Sequence, residues 1–98
     1  MKLFEFTKSN ECRSIIQIKG DVKSVLGEDV YYRLYEVRRG AIKTYAINIC
    51  CGPESEICSF GSDRAAVFAI YRKIVRGAVT PSTLKEIAED FFTERRLG

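Results

Sequence analysis

Four cysteines, Cys12, Cys50, Cys51 and Cys58, are the side chains of this 98-residue sequence with the widest chemical range. A thiolate can attack carbon or sulfur or ligate a metal, but each use needs a partner group. The spacings of 38, 1 and 7 contain no CxxC knuckle, whereas a structural zinc site normally presents two. There is no histidine anywhere in the chain. That absence removes Ser-His-Asp and Cys-His catalysis, the HExxH metal helix and imidazole acid/base chemistry at neutral pH. The cysteines therefore read as reduced thiols that pack as small hydrophobes.

Carboxylates and phosphate loops add no catalytic centre. Glu54 with Glu56, and Glu86 with Asp90, fall where solvent-facing residues belong, with nothing nearby to shift their pKa values. Neither GxxxxGK[ST] nor GxGxxG occurs, and the seven glycines punctuate turns. The reading is of a non-enzymatic protein with no catalytic residue, cofactor or metal ligand. What remains is a stretch of alternating side chains, Tyr31, Arg33 and Tyr35, which a strand would project from one face.

The elements that position them follow from pattern. Val30 to Arg38 and Ala41 to Cys51 are β-branched and aromatic runs joined at Arg39-Gly40, a hairpin that sets Glu36 opposite Lys43 and Leu34 opposite Tyr45. One face then carries Val30, Tyr32, Leu34, Tyr45, Ile47 and Ile49 and belongs to the core. A two-residue turn there needs positive φ at Arg39, so a bulge at Gly40 with a one-residue slip competes. Cys51-Gly52-Pro53-Glu54 turns the chain into a third strand ending near Phe60, with Cys58 beside Ile47 on the core side. Further back, Leu3 to Phe6 and Arg13 to Lys19 suggest a hairpin about Ser9-Asn10-Glu11, and Val22 to Leu26 a loop or single helical turn between glycine breakers.

Two helices close the chain. Ser62 caps a helix striped with Val67, Ile70, Tyr71 and Ile74, with Asp63 in its first turn and Gly77 as the left-handed stop. Thr80-Pro81 opens a second, with Leu84, Ile87, Ala88 and Phe91 on its apolar side. The fold class expected is α+β: an antiparallel meander of three to five strands followed by two antiparallel helices packed on one sheet face. The alternative is an open sheet that gains its second layer only in a dimer. Residues 1–98 form a single domain, with 1–29 the least legible part, 30–60 the meander and 62–95 the helical part.

The strand, polar turn, helix order and the segment VTPSTLKEIAEDFF resemble a family of short uncharacterised bacterial proteins with a Thr-Pro-initiated, acidic and aromatic last helix. The resemblance spans roughly residues 31 to 92. It implies the strand-then-helix order and an intracellular bacterial setting, and it carries no site residues.

Composition sets the partners. The net charge of +3 divides into +2 for residues 1–40, −1 for 41–60 and +2 for 61–98, so no arm is strongly basic, and Arg72-Lys73-Arg76 reads as a solvated cluster. No apolar run is long enough for a membrane span and MKLFEF is too short and interrupted for a secretory signal, which points to the cytoplasm. The face holding Tyr31, Arg33 and Tyr35 must be covered or used. Three occupants suit it: the amino-terminal hairpin, a second copy of the chain in a homodimer, or single-stranded nucleic acid stacking on the tyrosines. The function expected is that of an interaction or regulatory module, possible self-association first, nucleic-acid binding the alternative.

Overall fold

The computed structural model describes residues 13–97 and shows the α+β architecture. Strands β1 (Arg13–Val25), β2 (Glu28–Arg39), β3 (Ile42–Cys51) and β4 (Glu54–Ser59) are followed by helices α1 (Arg64–Arg76) and α2 (Pro81–Leu97). The strands form one antiparallel sheet in chain order. Leu3 to Phe6, half of the expected first hairpin, lies outside the described residues.

The central hairpin keeps its faces but not its expected register. Leu34 stands opposite Ile47, Tyr32 opposite Ile49 and Glu36 opposite Tyr45, a slip of two residues from the pairing read off the sequence. The turn falls on Gly40-Ala41, so that positive φ (+61°) lands on glycine and not on Arg39. A side chain there would cost about 1 kcal/mol or more, which is the reason for the shift. Because strands repeat every two residues, a slip of two leaves every core side chain on the core face.

Corrections at β1 are larger. Val22 to Leu26 is neither loop nor helical turn: β1 runs through Gly20-Asp21 as far as Val25, with a bulge between Gln17 and Lys19. Gly20 does not break the strand because its missing side chain makes room for Gln17, whose Nε2 would lie 2.7 Å from a Cβ. The reversal comes at Leu26-Gly27, both at positive φ, as a tight hairpin turn requires.

Helices cover one face of this sheet. Val30, Tyr32, Leu34, Tyr45, Ile47 and Ile49 meet Phe60, Val67, Tyr71, Ile74, Leu84 and Ala88 in a continuous core, with Ile70, Ile87, Phe91 and Cys58 half-buried around it. Each fully buried aliphatic or aromatic side chain contributes about 1.5 to 3 kcal/mol. Two tyrosine hydroxyls lock the layers. Tyr32 Oη donates to the Val79 carbonyl at 2.8 Å, in the link between the helices. Tyr71 Oη donates to Asp21 Oδ2 at 2.8 Å, and the Tyr32 carbonyl lies 3.2 Å from it. Burial raises the pKa of both phenols, so both stay protonated donors. A buried carboxylate, Glu36, sits at the other end of the same face, where Arg38 Nε donates at 2.6 Å and Arg64 approaches to 3.7 Å. The Arg38 hydrogen bond holds its pKa below the usual carboxylate range.

Both helix ends differ by one residue from the sequence reading. Asp63, not Ser62, is the N-cap, its Oδ1 accepting from the Ala66 amide at 3.2 Å. At the carboxyl end Gly77 has φ −83° and the left-handed residue is Ala78, φ +52°. Amides of Ala78 and Val79 close back on the carbonyls of Val75 and Ile74, a Schellman cap with alanine where glycine is usual.

Two substitutions test this account in opposite directions. Ile47→Ala empties the centre of the inner face and is expected to lower stability by about 2 to 5 kcal/mol. Ala78→Gly relieves the left-handed alanine and is expected to raise it by about 1 kcal/mol, seen as a higher urea midpoint. Destabilisation by Ala78→Gly would contradict the cap geometry.

Candidate functional site

The other face of the sheet has no layer over it among the described residues. By register it presents Ile15, Gln17, Gly20 and Val22 from β1, and Tyr31, Arg33, Tyr35 and Val37 from β2. Opposite them stand Ile42, Thr44, Ala46, Asn48 and Cys50 from β3, then Ser55, Ile57 and Ser59 from β4. Of these sixteen positions Arg33 alone is charged. Charged positions return at the strand ends, where Arg13 pairs with Arg39 and Ser24 with Asp29. A face meant for water would alternate its inward apolar residues with outward charged ones. Here Ile15, Ile42 and Ile57 stand 59, 64 and 58% exposed.

Geometry divides the face in two. Tyr35, Val37, Thr44 and Ala46 floor an open trough of about 620 Å³ between Ile15 and Ile57. Ala46, the smallest of the lining side chains, is itself buried. Tyr31 and Arg33 lie apart, lining a second, smaller cleft of about 260 Å³ with Gln17, Gly20 and Val22. The three residues singled out in the sequence thus share a face but not a cleft: Tyr35 belongs to the trough, Tyr31 and Arg33 to the cleft.

Arg33 is already engaged. Its Nη1 donates to Asn48 Oδ1 at 3.2 Å and lies 3.5 Å from Cys50 Sγ, and its guanidinium carbon is 5.8 Å from the centre of the Tyr31 ring. Asn48 Nδ2 in turn donates to the Glu56 carbonyl at 2.8 Å and to Ser55 Oγ at 3.2 Å. This network fixes the guanidinium against the sheet, where it cannot swing out to a phosphate without breaking both contacts.

The network also changes the reading of one cysteine. Cys51 and Cys58 pack against the core, as small hydrophobes do. Cys50 instead faces outward, 3.2 Å from Ser55 Oγ and 3.3 Å from Asn48 Oδ1. The Ser55 hydroxyl above all, then Arg33 and Asn48, holds its pKa below the ordinary thiol value against the opposing effect of burial. Cys51 donates to Glu28 Oε1 at 3.1 Å on the opposite face, and that carboxylate pushes its pKa up. Burial does the same to Cys58. The signal missed in the sequence was the neighbourhood, since Arg33 and Ser55 lie on different strands from Cys50. Among the described residues no three metal-ligating side chains gather at one place, and no helix is long and apolar enough to cross a membrane.

The three described cysteines should therefore separate under alkylation. With limiting iodoacetamide at neutral pH, peptide mapping is expected to find Cys50 modified well ahead of Cys51 and Cys58, and Arg33→Gln is expected to narrow the gap. Equal rates at Cys50 and Cys51 would show that the polar network does not activate the thiol.

In comparisons with family models, curated proteins and solved structures, the chain matches none.

Proposed function

We propose that this protein is a non-catalytic interaction module whose trough-bearing sheet face docks on a second copy of the chain. The observation that carries the reading is the sixteen-position face with one charge, itself tied down. Isologous packing brings each patch onto itself, so any central unpaired charge would meet its own like. On this face the one charge, Arg33, lies in the cleft beside the trough and not on the trough floor, so a two-fold axis through the trough keeps the two guanidinium groups off it. Ala46 and the exposed Ile57 both line the trough, and packing about a two-fold axis there would let Ile57 of each copy enter the trough of the other.

Size fixes the strength of such a contact. At a strand spacing of about 4.8 Å and a same-face repeat of about 6.8 Å, sixteen positions cover roughly 500 Å² of sheet. Two such faces reach only the low end of specific interfaces, which corresponds to a dimer in exchange with monomer, not an obligate one. An exchanging dimer suits a regulatory or adaptor role. The bacterial family resemblance and a cytoplasmic setting belong to the same proposal.

Tyr35→Glu places a carboxylate in the trough floor, where burial against a partner leaves it unpaired. Sedimentation equilibrium is expected to show a wild-type protein moving from monomer to dimer across the micromolar range, and a Tyr35→Glu variant monomeric throughout with an unchanged circular dichroism spectrum. A wild-type chain that stays monomeric at the top of that range would remove the proposal's basis.

A further inference from the structure

The topology collects cations that the sequence scatters. Lys19 and Lys23 stand on the helix side of β1, and α1 passes close enough there for Lys23 Nζ to donate to the Arg76 carbonyl at 3.3 Å. Arg72 and Arg76 lie one helical turn apart, about 6 Å along the axis. Lys19, Arg72 and Arg76 line a groove of about 290 Å³ between β1 and α1, with Tyr71 and Val75 at its base. The acid in this groove, Asp21, accepts the Tyr71 hydroxyl. Both ion pairs among the described residues end on Glu36, so none of these four cations has a carboxylate partner there.

Charge is uneven from one element to the next. Helix α1 carries Arg64, Arg72, Lys73 and Arg76 and no acidic residue. Glu54 and Glu56 lie on β4 at the far edge of the sheet, and Glu86, Glu89 and Asp90 lie on α2, which packs against β4. Helix α2 also carries Lys85, Arg95 and Arg96, and Asp21, Glu28 and Asp29 lie on β1 and β2, so of the two helices α1 alone is purely basic.

What the basic groove suits is decided by its neighbour on the other side of β1. The cleft lined by Val22, Tyr31 and Arg33 opens on the outer face, and Asp21 borders both it and the basic groove. The two clefts thus meet over the β1 edge. Tyr31 is 44% exposed, with its ring steadied by the Arg33 guanidinium. Cations on one side of a single strand and an exposed aromatic ring on the other match a ligand that offers phosphates and an unstacked flat base in succession. An acidic polypeptide would use the cations and leave Tyr31 idle. A duplex would hide its bases from it.

We propose that single-stranded nucleic acid crosses the β1 edge, its phosphates held by Lys19, Lys23, Arg72 and Arg76 and one base stacked on Tyr31. Arg33, fixed by Asn48 and Cys50, orients the ring and does not contact phosphate. The site lies outside the trough and belongs to the monomer: Tyr31 is one of the sixteen positions of the outer face, so a dimer that used the whole face would compete with the nucleic acid for it.

The test is fluorescence anisotropy with a short labelled oligothymidylate over a sodium chloride series. Four phosphate contacts predict a slope of log affinity against log salt near −3, from about −0.7 per contact on a single strand. The Lys19→Glu/Lys23→Glu and Arg72→Glu/Arg76→Glu pairs are each expected to weaken binding at least about tenfold and to flatten the slope by about 1.4. Tyr31→Ala is expected to weaken it about 5- to 150-fold with the slope unchanged, the equivalent of one lost base stack. Lys43→Glu/Lys85→Glu changes net charge equally at other places on the surface and should move affinity less than about twofold if a local site operates. All four basic positions and Tyr31 are exposed or half-exposed, and circular dichroism verifies the fold of each variant. No binding at low salt overturns the proposal. So does equal loss in the Lys43/Lys85 control, which would reveal bulk attraction, or competition by polyglutamate as strong as by unlabelled oligonucleotide with Tyr31→Ala silent.

Discussion

Two tyrosines carry the arrangement on which the rest of the molecule depends. Tyr32 rises from the middle of the sheet to the link between the helices, while Tyr71 descends from α1 to the edge of the sheet and the Tyr32 backbone. Each phenol is buried, and an unmet hydroxyl at such depth would cost about 1 to 3 kcal/mol. The hydroxyls accordingly set where α1 and the α1–α2 link can sit. With Tyr71 and Arg76 of α1 tied to β1 and α2 over β4, no described element covers the trough face, and Arg72 and Arg76 meet Lys19 at one groove.

Much of this fold was legible because two periods agree. Alternation of two in β2 and β3 and steps of three and four in α1 and α2 select the same interior, and the core residues named from them are buried or half-buried. The hairpin slip shows how strong the alternation is: displacing the register by two changed every cross-strand partner and no face. Turn chemistry was the weaker guide. Gly20 was read as a stop because glycine usually is one, yet its small size serves the Gln17 side chain within a continuous strand. Ala78 and Leu26 adopt positive φ against their preference, and sequence reasoning assigns such positions to glycine.

The candidate sites were legible only in part, for a related reason. Tyr31, Arg33 and Tyr35 announce themselves by spacing along one strand. The Arg33-Asn48-Cys50-Ser55 network draws on three strands, and the basic groove joins the first strand to the first helix across some fifty residues. Local charge counts read Arg72-Lys73-Arg76 as a solvated cluster, and they could not show that Arg72 and Arg76 share a groove with Lys19. Contacts distant in sequence are where a single chain read alone says least.

Strand order has a consequence for biosynthesis. Every sheet neighbour is also a chain neighbour, so the meander can pair hairpin by hairpin as it leaves the ribosome, with short loops to close at each step. The cover arrives last, since α1 begins at Arg64 and α2 at Pro81. Until then Val30, Tyr32, Leu34, Ile47 and Ile49 face water across a finished sheet, a surface that nascent-chain chaperones bind and that prematurely terminated chains would keep. The emerging chain thus passes through a stage with its core face uncovered, and completion of the last helix removes that face from view.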